Sequence, residues 1–213
     1  VPPRRKSKMP LVAAAGAGAI LVALGVWVII RDKDGNKIPI LFGARVSGNI
    51  AKGTRIGFMN MQTGRKGDYS PENFTAASIN QRLFKRSVIK AYFLNRENGI
   101  SEAEKKKDPL AAYGRNAGAE FNYNNLKGTW SGWAGYHHSF KEGIKTQNAY
   151  YDAGFSYNGR NFSTVVDLGN TGTNFYTDMG YVQRISNYDA DRDTSIRLGF
   201  KQIYNNLQYR VFP

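Results

Sequence analysis

Cysteine is absent from this 213-residue chain. Disulfide bridges, thiolate metal sites and thiol nucleophiles are thereby excluded. Histidine is scarce: His137 and His138 are the only two. Adjacent residues on a strand point to opposite faces, so this pair cannot chelate one metal ion together. Acidic residues are outnumbered, 16 Asp and Glu against 30 Lys and Arg, for a formal charge of +14. The basic residues are scattered, with no basic helix and no nucleic-acid module, so nucleic acid is not expected as a partner. Anionic lipid head groups, polysaccharide or lipopolysaccharide fit that charge better. No Gly-rich phosphate loop, catalytic HRD or metal-binding DFG is present, and no Ser–His–Asp arrangement stands out.

What is present is alternation. Apolar residues make up 41% of the chain and aromatics 13%, with 13 Tyr and 12 Phe. From Ile38 onward the chain reads as about ten strands. In Tyr113–Asn124, Ala117, Ala119, Phe121 and Tyr123 fall on one face, and Gly118, Glu120, Asn122 and Asn124 on the other. Arg115 interrupts the apolar side and should sit near a rim. Asn148–Asn158 repeats the pattern, with Tyr151, Ala153 and Phe155 opposed to Asp152, Gly154 and Ser156. The earlier segments Ile38–Ser47, Thr54–Thr63, Glu72–Arg82 and Ser87–Asn95 alternate less cleanly. Each is about ten residues long, the length a tilted strand needs to cross a bilayer.

The connectors alternate as well. Short ones fall at Asn49–Gly53, Phe84–Arg86, Asn125–Lys127, Asn158–Arg160 and Tyr204–Asn205. Long ones fall at Gly64–Pro71, Arg96–Pro109, Lys141–Gln147 and Gly169–Asp191. Periplasmic turns of outer-membrane barrels are short and extracellular loops long. The expected fold is therefore all-β: an antiparallel up-and-down transmembrane β-barrel, or part of one, over residues 38–213.

Residues 1–37 differ in kind. Arg4, Arg5, Lys6 and Lys8 precede an uncharged run from Met9 to Ile30, closed by Arg31. That run is long enough to span a bilayer as a helix, and its basic flank predicts a cytoplasmic N-terminus. An uncleaved anchor is expected, and it conflicts with a barrel destined for the outer membrane.

Two resemblances add to this reading. The segments IPILFGARVSGNIAKGTRIGFMNMQTG, SPENFTAASINQRLFKRSVIKAYFLNREN and NFYTDMGYVQRISNYD resemble the C-terminal barrel region of a family of bacterial outer-membrane proteins. That family carries a carbohydrate-binding family 9-like N-terminal domain, and its barrel has no assigned function. The resemblance covers about Ile38 to Pro213 and implies an outer-membrane location and a carbohydrate-related role. Residues 1–37 resemble the transmembrane stretch of bacterial receptor-type Ser/Thr kinases. The carbohydrate-binding domain has no counterpart here, and the family barrel is longer, so the chain reads as a fragment or a fused product.

Three functions follow as expectations. The first is an outer-membrane barrel acting in surface binding or passage of a solute. Its lumen-facing candidates are Glu120, Asp152, Arg197 and Lys201. The second is a periplasmic β-sheet interaction module anchored in the inner membrane by one helix. The third is a glycoside-type hydrolase, resting on Glu120 and Asp152 as a carboxylate pair. Asp189, Asp191 and Asp193 resemble the start of a calcium loop. Thr194 stands where its glycine belongs and no glutamate closes it, so a solvated loop is expected. No cofactor or metal is expected.

Overall fold

The computed structural model describes residues 30–31, 37–180 and 185–212. The expected helix Met9–Ile30 lies outside them but for Ile30. That residue belongs to β1 (Ile30–Arg31), which pairs with β2 (Lys37–Ile38). No helix among the described residues is long and apolar enough to cross a membrane.

Nine strands form one antiparallel sheet. In chain order they are β3 (Ile40–Ala51), β4 (Thr54–Thr63), β5 (Glu72–Leu83), β6 (Ser87–Asn98), β7 (Tyr113–Asn124), β8 (Trp130–Phe140), β9 (Ala149–Asn158), β10 (Phe162–Thr171) and, after a hairpin, β13 (Phe200–Tyr209). Each pairs with its neighbour in sequence, except that β13 pairs with β10 across the hairpin of β11 (Ser186–Asp189) and β12 (Thr194–Arg197). The up-and-down meander matches the sequence expectation. Its closure does not: β3 and β13 are open edges, and the sheet is not a barrel. The strand count differs as well, nine in the sheet against about ten expected.

The short turns follow local chemistry. Lys52–Gly53 joins β3 to β4, and Gly53 takes φ +82°, which a glycine adopts without a Cβ penalty. Asn125 accepts from the backbone N–H groups of Thr129 and Trp130 at 2.9 and 3.1 Å, fixing the β7–β8 turn. One expected turn is absent. Tyr204–Asn205 lies inside β13, where Asn205 pairs with Val166 and Tyr204 with Asp167. Asparagine suits turns, but ten consecutive residues of β13 find ladder partners on β10, and that pairing overrides the local preference. The long connector after β6 holds the short helix α1 (Glu102–Lys107), capped by Ser101, and a 3₁₀ turn at Pro109–Ala111.

Cross-strand register sorts every side chain onto one of two faces. One face is apolar. Its rows include Val46–Phe58–Ala77–Phe93–Ala117 and Gln81–Ile89–Phe121–Ala134–Ala153–Leu168–Ile203. At the long-connector end this face closes in a polar ladder. Asn60 donates to Asn73 and Thr75 at 3.0 and 2.8 Å, and Arg115 donates to Asn95 at 2.9 Å and pairs with Glu97. Arg115 thus sits at the rim, as its place in the alternation predicts. At the short-turn end the face closes in aromatics, with Trp130 and Tyr157 ring centroids 4.7 Å apart and Phe162 opposite Tyr209.

Burial is inverted relative to a water-soluble domain. Among the described residues, the buried apolar ones are Ala112, Phe175 and Ile185, all near the long-connector end. Eight polar residues are buried, including Asn116, His137, Ser139, Lys141 and Thr171. Large apolar side chains stand exposed along the apolar face, and at two turn tips Phe84 is 84% and Leu126 65% exposed.

Candidate functional site

The opposite face is polar and carries the site. One of its rows runs Arg55–Asn80–Lys90–Glu120–Gly135–Asp152–Gly169–Gln202 across eight strands. The next runs Arg82–Val88–Asn122–Trp133–Gly154–Asp167–Tyr204. Both rows carry cations on β4–β6 and carboxylates on β7–β10. In the first row the two signs meet at the Lys90–Glu120 pair, 3.3 Å apart.

Glycines make room for the large groups on this face. A Cβ on Gly118 would fall 2.5 Å from His137 Nδ1 and 2.7 Å from Tyr92 Cε1. A Cβ on Gly154 would overlap the Trp133 indole. The alternation that reads as small and polar in sequence is therefore the bed on which neighbouring rings lie.

The segment 172–180, between β10 and β11, crosses the ends of four strands over this face. Gly172 and Asn174 donate their backbone N–H groups to Ala149 and Gln147 carbonyls, at 2.9 and 2.7 Å. The Tyr176 N–H donates to Ser139 Oγ at 3.1 Å, and Asn116 Nδ2 donates to the Tyr176 carbonyl at 2.7 Å. Asp178 then pairs with Lys141 at 2.6 Å and with Arg96 at 3.0 Å. The Arg96 Nε–Asp178 contact is an ion pair without hydrogen-bond alignment. Gly114 is required beneath it, because a Cβ there would overlap the Asp178 carboxylate. From the other side, Arg197 donates to the carbonyls of Thr173 and Phe175 at 3.1 and 2.8 Å and stacks over Tyr176. The segment is a strap tied across the polar face.

Under the strap lies a cavity of about 510 Å³. Glu120, Asp152 and Asp167 line it, with Tyr92, Trp133, His137, Tyr150 and, from the strap, Phe175 and Thr177. Tyr92 Oη and His137 Nδ1 lie 2.7 Å apart, with their rings stacked. His137 Nε2 stops 4.0 Å short of Asp152 Oδ1. Trp133 Nε1 donates to Asp167 at 2.9 Å. The histidine is thus bonded to a tyrosine and not to a serine, and Glu120 is held by Lys90. Glu120 and Asp152 sit two strands apart in one row, about 10 Å between backbones at the usual strand spacing.

Of the four lumen-facing candidates, the structure brings two together. Glu120 and Asp152 share the cavity. Lys201 pairs with Asn170, in the row of Tyr151, and so lies on the opposite, apolar face. Arg197 and Lys201 would share a face only on one unbroken strand. The chain leaves the β11–β12 hairpin at Arg197 and resumes at Phe200, which breaks that register. Arg197 is off the main sheet and binds the strap. Asp189 caps its own hairpin, accepting from the N–H groups of Asp191 and Arg192. Among the described residues no group of three His, Asp or Glu is placed to hold a metal.

Trp133, His137 and Asp167 line the cavity beside Glu120 and Asp152, and none of the three is among the site residues expected from sequence. Nothing in the sequence marks Asp178, Lys141 and Arg96 as acting together. No protein-family model, curated protein or solved structure matches this chain.

Proposed function

We propose that the chain forms the wall of an outer-membrane β-barrel, whole or in part, and binds or passes a solute along its polar face. The observation that carries this reading is the inverted burial, with apolar side chains outward and polar ones covered. Among the described residues, a single sheet with exposed Phe, Tyr, Ile and Leu on one face has no second layer to bury them. A bilayer supplies that layer, and closed strand pairing is the route by which β structure crosses it.

The dimensions agree. On β9 the apolar face runs from Ala149 to Tyr157, eight steps, or about 27 Å along the strand. A tilt of about 40° reduces that to about 20 Å along the membrane normal, close to the apolar band of such barrels. The polar ladder at Asn60, Thr75, Asn95 and Arg115 and the aromatics at Trp130, Tyr157, Phe162 and Tyr209 then stand at the two interfaces. In this arrangement the long connectors are extracellular and the turn tips Phe84 and Leu126 dip toward the periplasmic interface. The strap narrows the passage at its outer end.

The test is refolding of the full chain into detergent micelles. The reading predicts a gel mobility that shifts on heating and aggregation when detergent is withdrawn. A variant lacking residues 1–37 that stays monodisperse in buffer without detergent overturns it in favour of a water-soluble β-sheet module.

A further inference from the structure

We propose that the cavity beneath the strap binds a compact organic cation, a protonated or quaternary amine. This rests on the polar face being the solute-bearing side of the wall. Among the described residues, no lysine or arginine lines the cavity. Glu120 has Lys90 as its counter-ion. Among the described residues, Asp152 and Asp167 have no lysine or arginine within ion-pair distance. Among the described residues, Asp167 accepts only the Trp133 indole N–H, and Asp152 receives no hydrogen bond, with His137 Nε2 4.0 Å away. Carboxylates covered by protein need a cation or donors to offset their lost hydration.

His137 supplies the second, independent sign. Its side chain is 9% exposed, its Nδ1 is bonded to Tyr92, and its Nε2 faces the cavity without a hydrogen-bond partner. Nε2 lies 4.0 Å from Asp152 Oδ1, at the outer limit of an ion pair and beyond hydrogen-bond distance, so both groups keep hydrogen-bonding capacity for a bound molecule. The walls are aromatic as well: Tyr92, Trp133 and Tyr150 present rings beside the carboxylates. A cation set against ring faces and carboxylates is held by both, and the ring quadrupole favours soft, alkylated ammonium groups over small hydrated ions. The volume of about 510 Å³ admits a molecule of choline size with room for water.

The opposite chemistry belongs elsewhere on the same face. Arg45 and Arg55 line a separate hollow with Ser47, Ser78 and Asn80, and an anion would be drawn there.

The experiment is a ligand-observed NMR titration of the refolded full chain in detergent at constant ionic strength, with choline, glucose and acetate as probes. Saturable binding of choline, with glucose and acetate much weaker, is expected. Asp152→Asn with Asp167→Asn should raise the choline Kd about ten-fold or more, because each tenfold is a loss of about 1.4 kcal/mol. Trp133→Leu, as a second variant, should raise it about three-fold or more, and Arg55→Gln should leave it unchanged. The proposal is overturned if choline shows no saturable signal, if acetate binds in its place, or if the double asparagine variant keeps the parent Kd. Heat-shifted mobility of the same preparations verifies folding. Its loss, with solubility in plain buffer, removes the bilayer reading while the choline titration still reports on the cavity.

Discussion

The Asp178 carboxylate lies 2.6 Å from Lys141 Nζ, and both side chains are largely covered, at 14% and 6% exposure. This pair fastens the strap to the sheet. Replacing Asp178 leaves Lys141 charged, covered and short of its partner. Breaking such a pair from one side costs about 3–5 kcal/mol. Asp178→Ala should therefore lower the urea midpoint of the refolded protein and open residues 172–180 to limited proteolysis. An unchanged cleavage pattern would show that the backbone bonds to Ala149, Gln147 and Asn116 hold the strap without the ion pair.

Ala119 sits exposed in the middle of the apolar face, in the row of Tyr136 and Tyr151. An arginine there is nearly neutral if that face meets water. If it meets lipid near the bilayer centre, the cost is about 2–4 kcal/mol. Ala119→Arg should then fold poorly into vesicles, and Arg115, at the rim, should tolerate Lys. Equal folding yields for Ala119→Arg and the parent would argue against lipid contact.

Gly118 lies beneath the Tyr92–His137 contact, with no space for a methyl group. Gly118→Ala should push the two rings apart and cost about 1–3 kcal/mol, in line with overpacked sites. Thermal unfolding in detergent measures it. Gly169, whose Cβ would meet nothing within 4 Å, is the matched control.

The α1 helix in the β6–β7 connector is closed by a reciprocal cap between Ser101 and Glu104. The Ser101 hydroxyl and N–H both donate to the Glu104 carboxylate and hold its pKa below the usual carboxylate value. A depressed folded-state pKa contributes stability above the unfolded value and loses it as pH falls through the folded one. Amide protection over residues 102–107 should be flat at neutral pH and decline in the acid range below the ordinary glutamate pKa. Ser101→Ala, which removes the hydroxyl but keeps the N–H, should weaken that pH dependence.

Much of the sheet was legible because period-2 alternation is local. Tyr113–Asn124 and Asn148–Asn158 each show one apolar and one wet side without reference to any partner. Two of the five short turns carry their own chemistry, at Gly53 and Asn125. The fifth, Tyr204–Asn205, was misread because its decisive partners, Val166 and Asp167, lie on another strand. The strap was not legible for the same reason. Phe175, Tyr176 and Asp178 look like loop residues, and their roles come from Tyr150, Asn116, Arg96 and Lys141, remote in sequence. Lys201 was placed on the wrong face because the break at Leu198–Gly199 resets the alternation. Whether the two edges, β3 and β13, meet each other or other strands is a matter of long-range pairing, which periodicity does not encode.

The two-faced wall is tested most directly along β9, and the lack of native cysteine makes the test clean. Single cysteines at Ala149, Tyr151, Ala153 and Phe155, and at Asp152 and Ser156, would carry an environment-sensitive dye in refolded, vesicle-bound protein. Lipid-borne quenchers should reach the first four and aqueous iodide the last two, alternating residue by residue. Iodide quenching of all six to the same degree, with no effect of the lipid quencher, would contradict the account.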